Sequence, residues 1–85
     1  MKTHELKIWP EYFRAVADGR KTFEVRRDDR GFAVGDVLKL REWEPVGNRY
    51  TGCKVIVEVT YKLAGAPLAP CMCVLGISVL DGAQR

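Results

Sequence analysis

The sequence predicts a small, mainly β domain with one helix, in which five to six short strands curl into a barrel that the helix covers. Three observations predict this fold class. The 85 residues suit one domain, since single domains typically span about 50–200 residues. Apolar and polar residues alternate in several segments, which is typical of half-buried strands. Helix start and stop residues flank only one segment, and one helix cannot cover both faces of an open sheet.

The composition is that of a folded domain and disfavours a membrane-spanning chain. Hydrophobic residues make up 47% of the chain and charged residues 29%, which suits a soluble globule. No apolar run approaches the roughly 20 residues that a membrane helix needs. The N-terminal residues form no apolar signal-peptide core. We therefore expect a cytoplasmic protein with a single domain over residues 1–85 and no membrane partner.

The three cysteines do not match a disulfide framework or a zinc site. Their number is odd, and free thiols are the default in the cytoplasm. Cys71 and Cys73 form a C-x-C pair rather than the C-x-x-C of zinc knuckles, and Cys53 has no second cysteine near it. We expect neither a metal nor a cofactor. We expect Cys71 and Cys73 to be small buried residues on one face of a strand.

The chain begins with a predicted strand over residues 3–8. Leu6 and Ile8 share one face, and Glu5 and Lys7 share the other. His4 falls on the face of Leu6 near the start of the strand, which predicts a position at the rim of the barrel. Both a structural hydrogen bond and a place in a ligand site are open to this histidine.

Residues 9–19 carry the signals of the helix. Pro10 suits the first helical position, and Gly19 suits the position after the last turn. Phe13 and Val16 have helical spacing and are predicted to face the core. Trp9 precedes the helix, where packing against the helix and lining a ligand pocket are the two alternatives.

The next predicted strand, within residues 19–26, is the strongest candidate for a functional site. A period of two puts Phe23 and Val25 on an apolar face that can join the core. The opposite face is polar, and we interpret it as the floor of a cleft. Pairing of Glu24 with Arg26 on the sheet surface is the alternative. The candidate ligand-binding residues of this cleft are His4, Lys7, Lys21, Thr22, Glu24 and Arg26.

The rest of the chain predicts three longer strands separated by turn formers. The strands alternate apolar and polar residues, and the connections are rich in glycine and proline. A frayed tail is expected from Asp81 onward. The predicted strands cover residues 37–43, 53–63 and 72–80, and the predicted connections cover residues 28–36, 44–52 and 64–70.

Basic residues are concentrated in one segment of a chain whose net charge is only +3. Such a patch attracts phosphate groups, and we expect three arginines to add affinity for a nucleic-acid backbone. A solvated charged edge that discourages sheet aggregation is the alternative. The three arginines are Arg20, Arg27 and Arg30.

The polar face offers either binding or hydrolysis. No Gly-rich phosphate loop and no G-x-S-x-G nucleophile elbow is present. Arg26 and Lys21 suit a phosphate or a base carbonyl group, and Glu24 suits the amino group of a nucleobase. In a hydrolase, Lys21 would act as a base, and Thr22 would supply the hydroxyl group. The spacing of these residues does not separate the two functions.

Residues 19–26 form the block G-x-K-x-x-E-x-R. The flanking blocks are H-E-L-K-I at 4–8, Y-F at 12–13, D-R-x-F-x-V-G-D at 29–36, L-x-E at 40–42, Y-T-G at 50–52, V-T-Y at 59–61 and V-L-G-I at 74–77. Together these blocks resemble one family, the activating-signal-cointegrator-homology (ASCH) group of the PUA-like superfamily, of which G-x-K-x-x-E-x-R is the hallmark. The resemblance implies a PUA-like β-barrel with this motif in a cleft, and RNA or a nucleotide as the partner.

The resemblance also names a possible catalytic set. Some ASCH proteins are amidohydrolases that act on acylated cytidine through a lysine, a threonine and a glutamate, and a few are described as ribonucleases. In those amidohydrolases the threonine lies three residues after the lysine, a position that Glu24 occupies here. The replacement favours binding over catalysis by Lys21, Thr22 and Glu24. The alternatives are a small hydrolase that uses Lys21 and Glu24, and a structural or interaction module.

Overall fold

The computed structural model, which describes residues 1–85, contains one five-stranded sheet and one helix. The sheet order is β1-β3-β4-β5-β2, in which β1 is parallel to β3 and all other neighbours are antiparallel. The sheet curls into a half-barrel, which confirms the predicted mainly β class with one helix. The elements are β1 (Thr3–Ile8), α1 (Pro10–Ala17), β2 (Phe23–Arg27), β3 (Val37–Glu44), β4 (Arg49–Ala64) and β5 (Met72–Gln84).

The core lies on the concave side of the curl. Alternate residues of β1, β3, β4 and β5 are buried there, as the period of two predicts. Leu38, Leu40, Val57 and Leu75 are fully buried. The complete set of buried apolar residues is Leu6, Ile8, Phe13, Val16, Phe32, Leu38, Leu40, Val55, Val57, Val59, Cys73, Leu75 and Ile77.

The helix packs on the concave side against β3, β4 and β5. Phe13 and Val16 are its buried residues, as predicted, and Pro10 occupies its start. Gly19 follows the last turn with φ of +83°, a conformation that glycine adopts without steric cost. Because α1 is only eight residues long, it covers part of the sheet and leaves the two sheet edges open beside it. No helix of the chain is long and apolar enough to cross a membrane.

The faces of β2 are reversed relative to the sequence prediction. Glu24 is the buried residue of this strand, at 3% exposure, whereas Phe23 and Val25 are 44% and 52% exposed. The register explains the reversal, because Glu24 lies opposite Leu75 and so points to the concave side with the core residues. A carboxylate tolerates this burial when cations pair with it, which is the case here.

Two predicted irregular segments are strands in the structure. Strand β3 extends to Glu44 and β4 begins at Arg49, so the hairpin turn is only four residues long, 45–48. The expected frayed tail is wrong, because β5 continues to Gln84. The register pairs Gln84 with Lys54, so the long strand β4 supplies the backbone partners that the tail lacks in isolation.

The cysteines are all free, and only one of the C-x-C pair is buried. Cys73 is fully buried on the concave face of β5. Cys71 is exposed with φ of +64°, so the prediction that it lies on the same face as a buried residue is wrong. The reason is that β5 begins at Met72, which leaves Cys71 in the preceding turn. No group of three or more His, Cys, Asp or Glu side chains is arranged to hold a metal ion.

Candidate functional site

A cleft lies where the curled sheet stays open, between the edge strands β1 and β2. Its volume is about 560 Å³, within the range of roughly 300–1,000 Å³ that small-molecule sites occupy. The end of β1, the start of α1, Lys21 and the first four residues of β2 contribute to its lining. The lining residues are Lys7, Ile8, Trp9, Tyr12, Lys21, Phe23, Glu24, Val25 and Arg26.

Arginine side chains connect the two sheet edges, which share no strand pairing. Arg26 Nη2 donates to the backbone carbonyl oxygen of Lys7 at 2.7 Å. Arg30 Nη1 donates to the carbonyl oxygen of Glu5 at 3.1 Å. These contacts satisfy backbone acceptors on β1 and hold β2 beside it without closing the barrel. The space between the edges therefore remains open as a cleft.

The floor of the cleft is a buried carboxylate held by two cations. Lys21 Nζ donates to Glu24 Oε1 and also to the carbonyl oxygen of Phe23, the latter at 2.7 Å. Arg26 Nε donates to Glu24 Oε2 at 2.9 Å. The side chain of Glu24 is 4% exposed, against 17% for Lys21 and 23% for Arg26. The carboxylate is thus fixed, and the two cations present the part of the site that solvent reaches.

Three half-exposed aromatic rings stand around these charges. Trp9 and Tyr12 stack with their ring centroids 6.4 Å apart and are 47% and 46% exposed. Phe23 is exposed to a similar extent, and Lys21 Nζ lies 4.9 Å from its ring centroid. The backbone carbonyl of Trp9 accepts the first helical hydrogen bond, from Phe13, so the start of α1 fixes the backbone of Trp9 at the cleft.

Sequence reasoning missed most of this aromatic wall. The sequence places Phe23 in the core, leaves packing and pocket lining as alternatives for Trp9, and does not assign Tyr12 to the cleft. No local signal separates these rings from the core, because Trp9 lies four residues before Phe13 and Tyr12 lies four residues before Val16, the spacing of neighbours on one side of a helix.

Four of the six predicted ligand-binding residues meet in the cleft, namely Lys7, Lys21, Glu24 and Arg26. Thr22 is exposed and does not line it. His4 also lies outside the cleft and is 8% exposed, with its ring edge against Phe32. Of the three polar residues Thr22, Glu24 and Arg26, only Glu24 and Arg26 therefore line the cleft.

His4 belongs to a separate buried polar group centred on Asp36. Its Nε2 donates to Asp36 Oδ2 at 2.8 Å, and the backbone N–H groups of Lys2 and Ala33 donate to the same carboxylate at 3.0 and 3.1 Å. The hydrogen bond from His4, followed by those from Lys2 and Ala33, lowers the pKa of Asp36 to about 2. This group ties the start of β1 to the turn before β3, which is a structural role.

Two comparisons relate this chain to known proteins. Residues 3–77 match the family described as "Domain of unknown function (DUF3850)". The chain belongs to the DUF3850 family. The matched region includes every residue that lines the cleft.

A phage protein is similar to this DUF3850 chain. It is the "Uncharacterized 12.9 kDa protein in GpA 3'region" of Escherichia phage P2, 42% identical over 59 residues. The aligned part is 69% of this chain and 52% of the phage protein. The chain therefore spans about half the length of the curated relative that it matches.

The three arginines of this DUF3850 domain that are predicted to contact a nucleic-acid backbone differ in the contacts that they make. Arg20 pairs with Asp18 at 2.9 Å on the exposed end of the helix, and this hydrogen bond lowers the pKa of Asp18. Arg30 donates a hydrogen bond to the carbonyl oxygen of Glu5. Arg27 is exposed at the end of β2. None of the three lines the cleft, so any contact that they make with a bound polymer lies outside it.

Proposed function

We propose that this DUF3850 domain binds RNA or a nucleotide in the cleft between β1 and β2. The observation that carries the proposal is the meeting of half-exposed Trp9, Tyr12 and Phe23 with basic side chains in one concave site. Sites for single-stranded nucleic acid combine aromatic rings, on which bases stack, with cations that follow the phosphates. The resemblance to the ASCH group supports the same partner.

The charge of the cleft suits an anionic ligand. Lys7, Lys21 and Arg26 contribute three positive charges and Glu24 one negative charge, which leaves a net charge of +2. Because Glu24 is buried beneath the two cations that pair with it, a ligand meets the positive groups first. Binding is therefore expected to weaken as salt concentration rises, since phosphate contacts release counterions.

Each charged side chain has a proposed role. Arg26 and Lys21 hold a phosphate or a base carbonyl group, for which the planar guanidinium is well suited. Glu24 accepts a hydrogen bond from a base amino group through lone pairs that its two cations leave free. The same proposal includes a location: the domain binds its nucleic acid or nucleotide in the cytoplasm.

A hydrolase is the second candidate, and the contact between Lys21 and Glu24 in the cleft favours it. Against the hydrolase, Thr22, which would supply the nucleophilic hydroxyl group, is exposed outside the cleft. Both carboxylate oxygens of Glu24 are also engaged by Lys21 and Arg26 rather than by a hydroxyl group. A purely structural pairing of Glu24 with Arg26 leaves the exposed rings of Trp9 and Tyr12 unexplained. Binding is therefore the function that the geometry supports best.

Titration with nucleoside monophosphates and single-stranded RNA at low salt tests the proposal. Calorimetry measures the affinity, and tryptophan fluorescence reports binding near Trp9 in the cleft or near Trp43 beside Lys7. Tyr12→Ala should weaken binding roughly tenfold, since stacking on one ring contributes about 1–3 kcal/mol. Tyr61→Ala is the matched control, because Tyr61 is 65% exposed and lies outside the cleft.

Two results would overturn the proposal. The first is the absence of binding by any of these probes at low salt. The second is equal loss of affinity in Tyr12→Ala and Tyr61→Ala, which would place the ligand elsewhere. Incubation with acylated cytidine and with single-stranded RNA tests the hydrolase, and turnover that disappears in Lys21→Ala would establish that function instead.

A further inference from the structure

A second group of aromatic and basic side chains adjoins the cleft on the outer, convex side of the sheet. We call it the hairpin surface, because β3 and β4, the two strands of one hairpin, supply four of its six residues. The alternation of β1 and β3 places these residues outward, opposite the core residues. The hairpin surface consists of Glu5, Lys7, Lys39, Arg41, Trp43 and Tyr50.

The register of the three strands brings these side chains together. Lys7 is the neighbour of Arg41 across β1 and β3, and Trp43 is the neighbour of Tyr50 across β3 and β4. The guanidinium carbon of Arg41 lies 3.8 Å from the Tyr50 ring centroid, and Lys7 Nζ lies 5.9 Å from the same centroid. Two cations therefore share one ring that is still 40% exposed.

The hairpin surface carries a net positive charge although it contains a carboxylate. Glu5 Oε1 accepts a hydrogen bond from Arg41 at 2.9 Å, and Lys39 Nζ lies 3.7 Å from Glu5 Oε2. The bond from Arg41 is the main reason that the pKa of Glu5 is lowered, so Glu5 is ionised at neutral pH. With Lys7, three cations face one anion, which leaves a net charge of +2.

Lys7 joins the hairpin surface to the cleft. It is one of the residues that line the cleft, and its Nζ lies 4.5 Å from the Trp43 ring centroid. A polyanion that fills the cleft thus meets, on the far side of Lys7, further cations and a further exposed ring.

We infer that the ligand of this domain is a single-stranded RNA that continues from the cleft over Lys7 onto the hairpin surface, where Arg41 contacts a phosphate and Tyr50 contacts a base. This inference rests on the proposed function and extends it from a nucleotide to a strand. Cations alone would suit an acidic protein equally well. The exposed ring between them favours nucleic acid, because every base has a face that stacks.

Comparison of nucleoside monophosphates with single-stranded hexaribonucleotides tests the inference. The wild-type protein should bind a hexaribonucleotide more tightly than the monophosphates. Tyr50→Ala should weaken hexaribonucleotide binding about tenfold and leave monophosphate binding unchanged. Arg41→Gln should reduce the slope of log K against log salt by about 0.7, the value for one phosphate contact on a single strand. Tyr61→Ala should match the wild type.

Glu5→Gln tests the inference through an increase in affinity, which a misfolded variant would not show. Removal of this carboxylate raises the net charge of the hairpin surface, so hexaribonucleotide binding should become tighter by a few-fold at low salt. Monophosphate binding in the cleft should stay at the wild-type value.

The outcomes separate the inference from the function on which it rests. If monophosphates bind in the cleft but Tyr50→Ala and Glu5→Gln leave hexaribonucleotide binding unchanged, the continuation onto the hairpin surface is wrong and the cleft remains a nucleotide site. If hexaribonucleotides bind no more tightly than monophosphates, the inference is likewise wrong. If neither probe binds the wild-type protein, the proposed function fails, and binding of an acidic protein to the hairpin surface would replace it.

Discussion

Arg26 in β2 donates a hydrogen bond to the backbone carbonyl oxygen of Lys7 in β1, at 2.7 Å, across the opening of the half-barrel. The same guanidinium group donates through Nε to the buried carboxylate of Glu24 at 2.9 Å. One side chain therefore joins the two sheet edges and neutralises the floor of the cleft. Stability and the shape of the cleft both depend on it.

Arg26→Ala is expected to lower the free energy of unfolding by about 2–3 kcal/mol, because Glu24 stays buried with Lys21 as its only cation. Arg26→Lys should fall between the wild type and Arg26→Ala, since lysine keeps the charge but lacks the fork that reaches both partners. Urea unfolding monitored by circular dichroism measures these differences.

Glu24→Gln combined with Arg26→Ala provides the control for this prediction. The double variant should lose less stability than the sum of the two single variants, because no buried carboxylate is left short of a cation. Lys21 loses its carboxylate partner but keeps its hydrogen bond to the carbonyl oxygen of Phe23. Additive losses would show that Arg26 and Glu24 act independently, contrary to the geometry.

The stability of the domain should fall in acid as Asp36 is protonated. The pKa of Asp36 is about 2 in the folded chain, below the ordinary value of 3.8. Between these values the unfolded chain takes up a proton at this residue and the folded chain does not. The stabilisation is therefore complete above about pH 4 and is lost as the pH falls toward about 2. Urea unfolding at a series of pH values measures this loss.

Asp36→Asn isolates this contribution from those of the other carboxyl groups. The variant should be less stable than the wild type near neutral pH, since an amide accepts weaker hydrogen bonds from His4 and from the N–H groups of Lys2 and Ala33. Its stability should also change less between pH 4 and pH 2. A variant that kept the full acid dependence would show that Asp36 is not its source.

The three thiols should react with a thiol reagent in an order set by burial. Cys71 is exposed and should react first. Cys73 is fully buried, and burial raises the pKa of its thiol, so it should react only when the chain unfolds. Kinetics with Ellman's reagent on the wild type and on Cys71→Ser measure the order. Loss of the fast phase in Cys71→Ser is expected, and a fast phase that persists would contradict the assignment.

Gly76 in β5 is expected to resist substitution because its neighbours on β4 leave no room. A Cβ atom there would lie 3.1 Å from Thr60 Oγ1 and 3.3 Å from Tyr61 Cβ. Gly76→Ala should therefore cost about 1 kcal/mol of unfolding free energy. Gly82→Ala in the same strand is the control, since a Cβ atom there meets nothing within 4 Å. Equal stability of the two variants in urea unfolding would refute the packing argument.

Most of the strands were predictable because their apolar residues alternate wherever one face joins the core. Leu6, Leu40, Val57 and Leu75 illustrate this, since each is buried as its period of two predicts. The strand ends were less predictable. Pairing with β4 extends β5 to Gln84, and that pairing is not visible in the local sequence of the tail.

The candidate site was predictable in part. The clustering of Lys21, Glu24 and Arg26 follows from their spacing, and the structure places all three in one cleft with Lys7. The aromatic wall and the hairpin surface were not predicted. Both depend on strands and a helix that are distant in sequence, as in the neighbouring positions of Lys7 and Arg41.

Local patterns in the chain were sufficient for the class of fold, the helix with its Pro10 and Gly19 ends, and the segment that carries the polar site. These features depend on periodicity and on backbone preferences, which act over a few residues. The direction of Glu24 was decided by the tertiary structure. A strand with mixed residues can turn either face inward, and here the register with β5 and the two cations that pair with the carboxylate made the polar face the buried one.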